Sequence, residues 1–180
     1  MVAVPPVTPA RDRVLDGFEQ LLIEQGERAA TLDAVARKAG VSKGGLLYHF
    51  PSKDALVDGL LQRLDERREE DVARSLAAPE GVVAYLLRTS FAADSAFDRT
   101  ILAVSRVAQG HDERASTALA RIHDSWNKVV AEAVGDPLLA RAIVLMSDGL
   151  YYNSALLPTG QESRGEAEDV LAVVQRLLAT

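Results

Sequence analysis

The sequence predicts an all-α protein of about nine helices, with a small three-helix head followed by a larger helical bundle. Three observations lead there. Apolar residues recur at helical spacing along nearly all of the 180 residues, and no stretch alternates like a strand. Apolar residues make up 48% of the chain and charged residues an ordinary 26%, enough to bury a core and unlike a disordered composition. Glycines and hydroxyl residues interrupt the periodic runs where helices should end and begin.

Val14, Leu15, Phe18, Leu21 and Leu22 form one face of a first helix, which Gly26 ends as a C′ glycine. Thr31 caps a short helix through Ala39 that turns Leu32, Val35 and Ala36 inward. Gly40-Val41 makes a tight turn, and Ser42 caps a very short helix reaching about Tyr48. Pro51-Ser52 opens a long helix carrying Leu56, Val57, Leu60, Leu61 and Leu64, with the charged run 65–71 as a solvated flank.

Pro79 begins a second region, with five helices expected near 79–92, 97–109, 113–134, 137–157 and 165–179. Helix 113–134 carries a stripe of Leu119, Ile122, Trp126, Val129, Val130 and Ala133. Helix 137–157 is apolar almost all round, so both of its sides must be covered. The last helix gathers Val170, Leu171, Val174, Leu177 and Leu178 on one face, with Val173 alongside.

Composition narrows the function classes. The absence of cysteine excludes a disulfide scaffold and thiolate metal sites, and suits a reducing cytoplasm. Residues 1–10 hold three prolines and no apolar core of signal-peptide length, which predicts a flexible arm and not a targeting segment. No run approaches the roughly 20 apolar residues of a membrane span. The net charge of −6 is unevenly spread. Residues 1–53 hold seven bases against six acids, and the remainder holds 13 against 20. A first domain that faces phosphates, joined to an acidic body that does not, would have this distribution.

Residues 31–53 read TLDAVARKAGVSKGGLLYHFPSK. Two short helices joined by an Ala-Gly-Val turn have helix-turn-helix geometry, in which the second helix enters the major groove of DNA. Ala36 is small where the two helices cross, and Gly40 relieves the turn. The extended string continues from the Ala-Gly-Val-Ser turn to an aromatic-rich exit at Phe50, then Pro51-Ser52-Lys53 and an apolar helix. This string resembles the tetracycline-repressor (TetR) family of bacterial transcription regulators. By motif the resemblance covers about residues 11–60, and by helix layout the whole chain.

The resemblance implies a DNA-binding domain over 11–53 and an effector-binding and dimerisation domain over 54–180, behind the arm at 1–10. It implies that Thr31 and Lys53, at helix starts, grip phosphates. Ser42, Lys43, Gly44 and Gly45 would approach base edges from the start of the recognition helix. Tyr48 and His49 would reach phosphates at its end, with Arg11 helping from the arm. Two positions depart from the commoner family pattern. Gly45 stands where threonine is more usual, and Leu47 where a phosphate-binding tyrosine usually stands, the tyrosine following as Tyr48. Adjacent glycines cost a helix about 1 kcal/mol each against alanine, so Gly44-Gly45 is either a loose turn or a place where the backbone comes close to DNA.

Other signals carry less. Gly40-Val41-Ser42-Lys43-Gly44 matches the nucleophile elbow of esterases, but that elbow needs a strand before the serine and a helix precedes this one. His111 and His123 show no zinc-site spacing, so no metal and no cofactor are expected. Asp148, inside the most apolar helix, must cap a hydrogen-bond network, face water at an interface or meet a ligand. Tyr85, Phe97, Trp126, Met146, Tyr152 and Asn153, with Asp148, are candidates to line an effector cavity or simply to form core. The leading expectation is a repressor that binds a palindromic operator in double-stranded DNA as a homodimer and is released by a small molecule. It is no enzyme and has no membrane partner. The rival is a helical-bundle enzyme or metal-dependent sensor without sequence-specific DNA binding.

Overall fold

The computed structural model describes residues 9–91, 95–156 and 162–178, and residues 1–8 of the expected arm lie outside them. Nine helices and no strand occur among the described residues: α1 Ala10–Gln25, α2 Leu32–Ala39, α3 Lys43–His49, α4 Lys53–Ala77, α5 Val82–Phe91, α6 Ala96–Gln109, α7 Glu113–Val134, α8 Pro137–Leu156 and α9 Glu162–Leu178. The expected all-α fold is the observed one. The ends fall where local chemistry sets them. Gly26 (φ 79°) closes α1 by donating its N–H to the Leu22 carbonyl at 3.0 Å. α5 starts three residues after Pro79, because Gly81 turns the chain at φ 84° and bonds the Ala78 carbonyl at 3.0 Å.

The chain forms two compact units. The first comprises Met1–Glu66 with Arg99–Leu119, and the second Arg67–Asp98 with Ala120–Thr180. In the first unit Val14, Leu15, Phe18 and Leu22 of α1 are fully buried, as are Val35, Leu46, Leu56 and Leu60. Gly17 lets α1 approach the backbone of Ala39, where a Cβ would stand 3.1 Å from its nitrogen. Gly59 leaves room for the Phe50 ring, which a Cβ would meet at 2.6 Å.

Polar groups brace this unit as well. Arg63 is buried and gives Nη1 to Asp16 Oδ1 at 2.6 Å and Nη2 to the side chain and carbonyl of Asp12 at 3.2 and 3.1 Å. It also lies 3.5 Å from the buried Glu19 carboxylate, which accepts the Thr100 hydroxyl of α6 at 2.9 Å. Arg114, in the first turn of α7, meets Asp112 at 2.7 Å, Asp58 at 2.9 Å and Asp54 at 3.5 Å.

In the second unit Leu86 and Leu87 of α5, Trp126 and Val130 of α7, Ala140, Ile143, Val144 and Leu150 of α8, and Val174 of α9 make one apolar cluster. Buried hydroxyls pair inside it, Ser90 with Ser147 at 2.7 Å, so neither is left unsatisfied. Within one chain α8 is covered on one side only. One side supplies the cluster, while Leu138 (79%), Leu145 (58%) and Tyr152 (54%) stand exposed at intervals of seven residues. Val173, Leu177 and Leu178 of the adjoining α9 are exposed too. Periodicity shows that a helix is apolar on two faces; it cannot say that one chain covers both.

Candidate nucleic-acid interface

The Thr31 hydroxyl caps α2 by accepting the Ala34 N–H at 3.2 Å. Gly40 ends α2 in the left-handed conformation (φ 63°), its N–H bonding Arg37 O at 3.2 Å while Val41 N–H reaches Ala36 O at 3.0 Å. Ser42 then caps α3, accepting the Gly45 N–H at 3.0 Å. This is a helix-turn-helix, and Ser42 is spent on a cap and not on a nucleophile elbow.

α3 is anchored through Leu46 and the following Phe50, both buried. Successive residues of a helix point about 100° apart, so Gly44 and Tyr48 lie opposite Leu46. Lys43, Gly44, Gly45, Tyr48 and His49 are all exposed, Tyr48 at 85%. A Cβ on Gly44 would meet nothing within 4 Å, and one on Gly45 would meet only the Ser42 hydroxyl at 3.2 Å. The fold has no steric need for a glycine at 44. Tyr48 stands edge-on to His49 with ring centres 5.1 Å apart. Arg11 lies over the Phe50 ring at 5.6 Å and donates to Gln62 at 3.3 Å.

The lysines have partners that sequence reasoning did not find. Lys43 pairs with Asp33 at 2.9 Å. Lys53 pairs with Glu27 at 3.1 Å and donates to its carbonyl at 2.9 Å, and Lys38 pairs with Glu24 at 3.1 Å. Separations of ten to 26 residues across turns leave no trace in helical spacing. Only the abundance of acids among residues 12–33 hinted at such partners.

Of the effector candidates, Trp126 is buried in the apolar cluster of the second unit, with Tyr85 and Met146 packed against it. The Tyr85 hydroxyl donates to Asp71 at 2.7 Å, and partial burial pushes its pKa up to about 12. Burial likewise raises the Asp71 carboxyl above the usual range, against the Tyr85 hydrogen bond. Phe97 is buried in the first turn of α6, and Asn153 is half-buried on α8. Asp148 is not enclosed by the apolar residues around it in sequence. It is exposed on α8 and pairs with His123 Nδ1 of α7 at 3.1 Å. Its carboxyl is still raised by partial desolvation, which His123 opposes. Tyr152 shares that exposed side. Among the described residues no three His, Asp or Glu side chains converge on a point that could hold a metal.

Comparison with known proteins agrees with this geometry. Residues 14–60 match the family model described as bacterial regulatory proteins, tetR family. The regulator UidR of Escherichia coli K12 is 27% identical over 132 residues, covering 71% of this chain and 66% of UidR. Residues 14–60 therefore form a DNA-binding segment of the TetR-family kind. The match spans just under two thirds of UidR's own length. A TetR-family structure from Streptomyces coelicolor A3 superposes with a TM-score of 0.71 at 22% identity, covering 92% of this chain and 98% of that one. The multidrug-binding protein EbrR, in complex with malachite green, gives a TM-score of 0.65 at 23% identity, covering 91% and 96%. The TetR fold therefore extends beyond the matched head to the helices that follow it, although at these identities the likeness concerns fold alone. No helix among the described residues is long and apolar enough to cross a membrane.

Proposed function

We propose that this protein is a transcriptional repressor that binds a palindromic operator as a homodimer and releases it when a small molecule binds. The observation that carries the reading is the exposed surface of α3, where Gly44 and Tyr48 lie opposite Leu46 and Lys43 and Gly45 are open to solvent at the helix start. A helix start with no side chain at Gly44 allows close backbone approach to a groove. In this reading 11–53 binds DNA, with Thr31, Ser42, Lys43, Gly44, Gly45, Tyr48, His49 and Lys53 at the surface. Residues 54–180 serve effector binding and dimerisation.

Selection of bound fragments from a random DNA pool tests the reading directly, and an enriched inverted repeat is the expected result. Lys43→Ala should weaken operator binding by about 1–3 kcal/mol and relax the preference at one position of each half-site. Lys53→Ala should weaken all sequences alike and flatten the salt dependence by about one ion. A pool with no enriched repeat would remove the DNA-binding reading.

For the effector, support comes from the apolar cluster that holds the buried Trp126, with Tyr85 and Met146 packed against the cluster, and from the likeness to a multidrug-binding protein of the same fold. Binding sites for such molecules are mostly apolar with a few oriented polar groups, here the half-buried Asn153 with the buried Phe97 as a further wall, whereas Asp148 and Tyr152 stand on the exposed side of α8. An apolar compound that occupies this unit should change Trp126 fluorescence, raise the melting temperature and release operator DNA over one concentration range. Compounds that shift the fluorescence and leave DNA affinity untouched would overturn it.

A further inference from the structure

All three lysines in residues 1–66 place their ammonium on a carboxylate of their own unit, and the Lys43–Asp33 pair is the one that matters for recognition. Lys43 is the first residue of α3, and Asp33 stands in the first turn of α2, ten residues earlier. The pair is open to solvent, with 60% and 65% of the two side chains exposed. Exposed pairs of this kind add little to stability, and α2 already has Thr31 as its cap. The fold does not need this contact.

Its effect falls on whatever approaches α3. A carboxylate 2.9 Å from the ammonium compensates its charge and repels a phosphate arriving at the same place. Non-specific DNA binding consists almost wholly of phosphate contacts, so a compensated lysine contributes little to it. An ammonium has three donors, however, and one on Asp33 leaves two for the adjacent acceptors of a base edge, such as O6 and N7 of guanine. Holding the amine in place also removes part of the freedom of a four-carbon side chain before DNA arrives.

We propose that Asp33 is a specificity-determining residue. It acts through Lys43, withholding the lysine from phosphates of arbitrary sequence and presenting it to a base edge in the operator. The inference rests on α3 being the recognition helix.

The test uses the full chain, the operator fragment selected from the random pool, and a random duplex of equal length, each titrated at two salt concentrations. Asp33→Asn should raise affinity for the random duplex about two- to fivefold and steepen its salt dependence by up to about one ion per protomer. Operator affinity should not rise with it, so the ratio of operator to random affinity falls. Asp33→Glu, which keeps the charge within reach of Lys43, should keep most of the ratio. In a Lys43→Gln background, Asp33→Asn should leave the ratio where Lys43→Gln alone puts it. A ratio that falls equally with and without Lys43 would mean that only long-range charge is at work, and the proposal is overturned. It is overturned too if Asp33→Asn strengthens both duplexes alike or changes neither. Failure of the underlying reading is visible earlier, as wild-type protein that enriches no inverted repeat, and it takes this proposal with it.

Discussion

Leu145→Asp should leave the protein monomeric at micromolar concentration and lower operator affinity by about 100-fold or more. Leu138, Leu145 and Tyr152 stand exposed on one face of α8, and the adjoining α9 adds Val173, Leu177 and Leu178. Apolar surface removed from water contributes about 25 cal/mol per Å², so two copies of this face, packed as a four-helix bundle, gain enough for a stable dimer. A carboxylate at 145 would have to be desolvated without a partner in that interface, a penalty of several kcal/mol. A monomer holds only one recognition helix and loses the second half-site. Sedimentation velocity with the operator titration reads both effects. A Leu145→Asp protein that stays dimeric would remove α8 and α9 from the interface.

The second large effect concerns stability. Arg63→Ala should lower the unfolding free energy by about 3–5 kcal/mol, the usual penalty for removing one partner of a buried ion pair. The loss follows from breaking the whole buried network at once, the bonds of the guanidinium to Asp12 and Asp16 and its 3.5 Å approach to the buried Glu19. Asp12 and Asp16 are more exposed and can turn to water. The sharper arm of the experiment is the double variant Arg63→Met with Glu19→Gln, which removes both charges and should recover most of the loss. Urea unfolding of the three proteins, compared at one pH, measures it. If Arg63→Ala shifts the midpoint no more than an exposed substitution does, the network is surface decoration.

Helix positions were legible in the sequence because their causes are local. Gly26 and Gly40 end helices through their own backbone freedom, and Thr31 and Ser42 cap through contacts three residues away. The head's motif was legible for the same reason. Contacts between distant residues were not. Thr100 meets Glu19 across 81 residues, and nothing in the spacing of either helix indicates that 99–119 shares a compact unit with the first 66 residues. Lys53 looked available to phosphates because Glu27 is 26 residues away. The surroundings of Asp148 stayed open among three alternatives because its sequence neighbours are apolar, and its place on α8, on the exposed side and against the His123 ring, depends on another helix.

Gly44 separates two criteria by which a variant of this protein could be judged. Its backbone is ordinary helix, and a methyl group there would touch nothing in the chain. Alanine at 44 would therefore raise the melting temperature by the intrinsic preference of helices, about 1 kcal/mol in free energy. A stabilisation campaign scored by heat resistance alone would select that change early. If α3 lies in a groove, the same methyl occupies space that belongs to the operator. Thermal tolerance and regulation would then be traded against each other at one carbon atom, in a region where no measurement on the free protein could reveal the conflict.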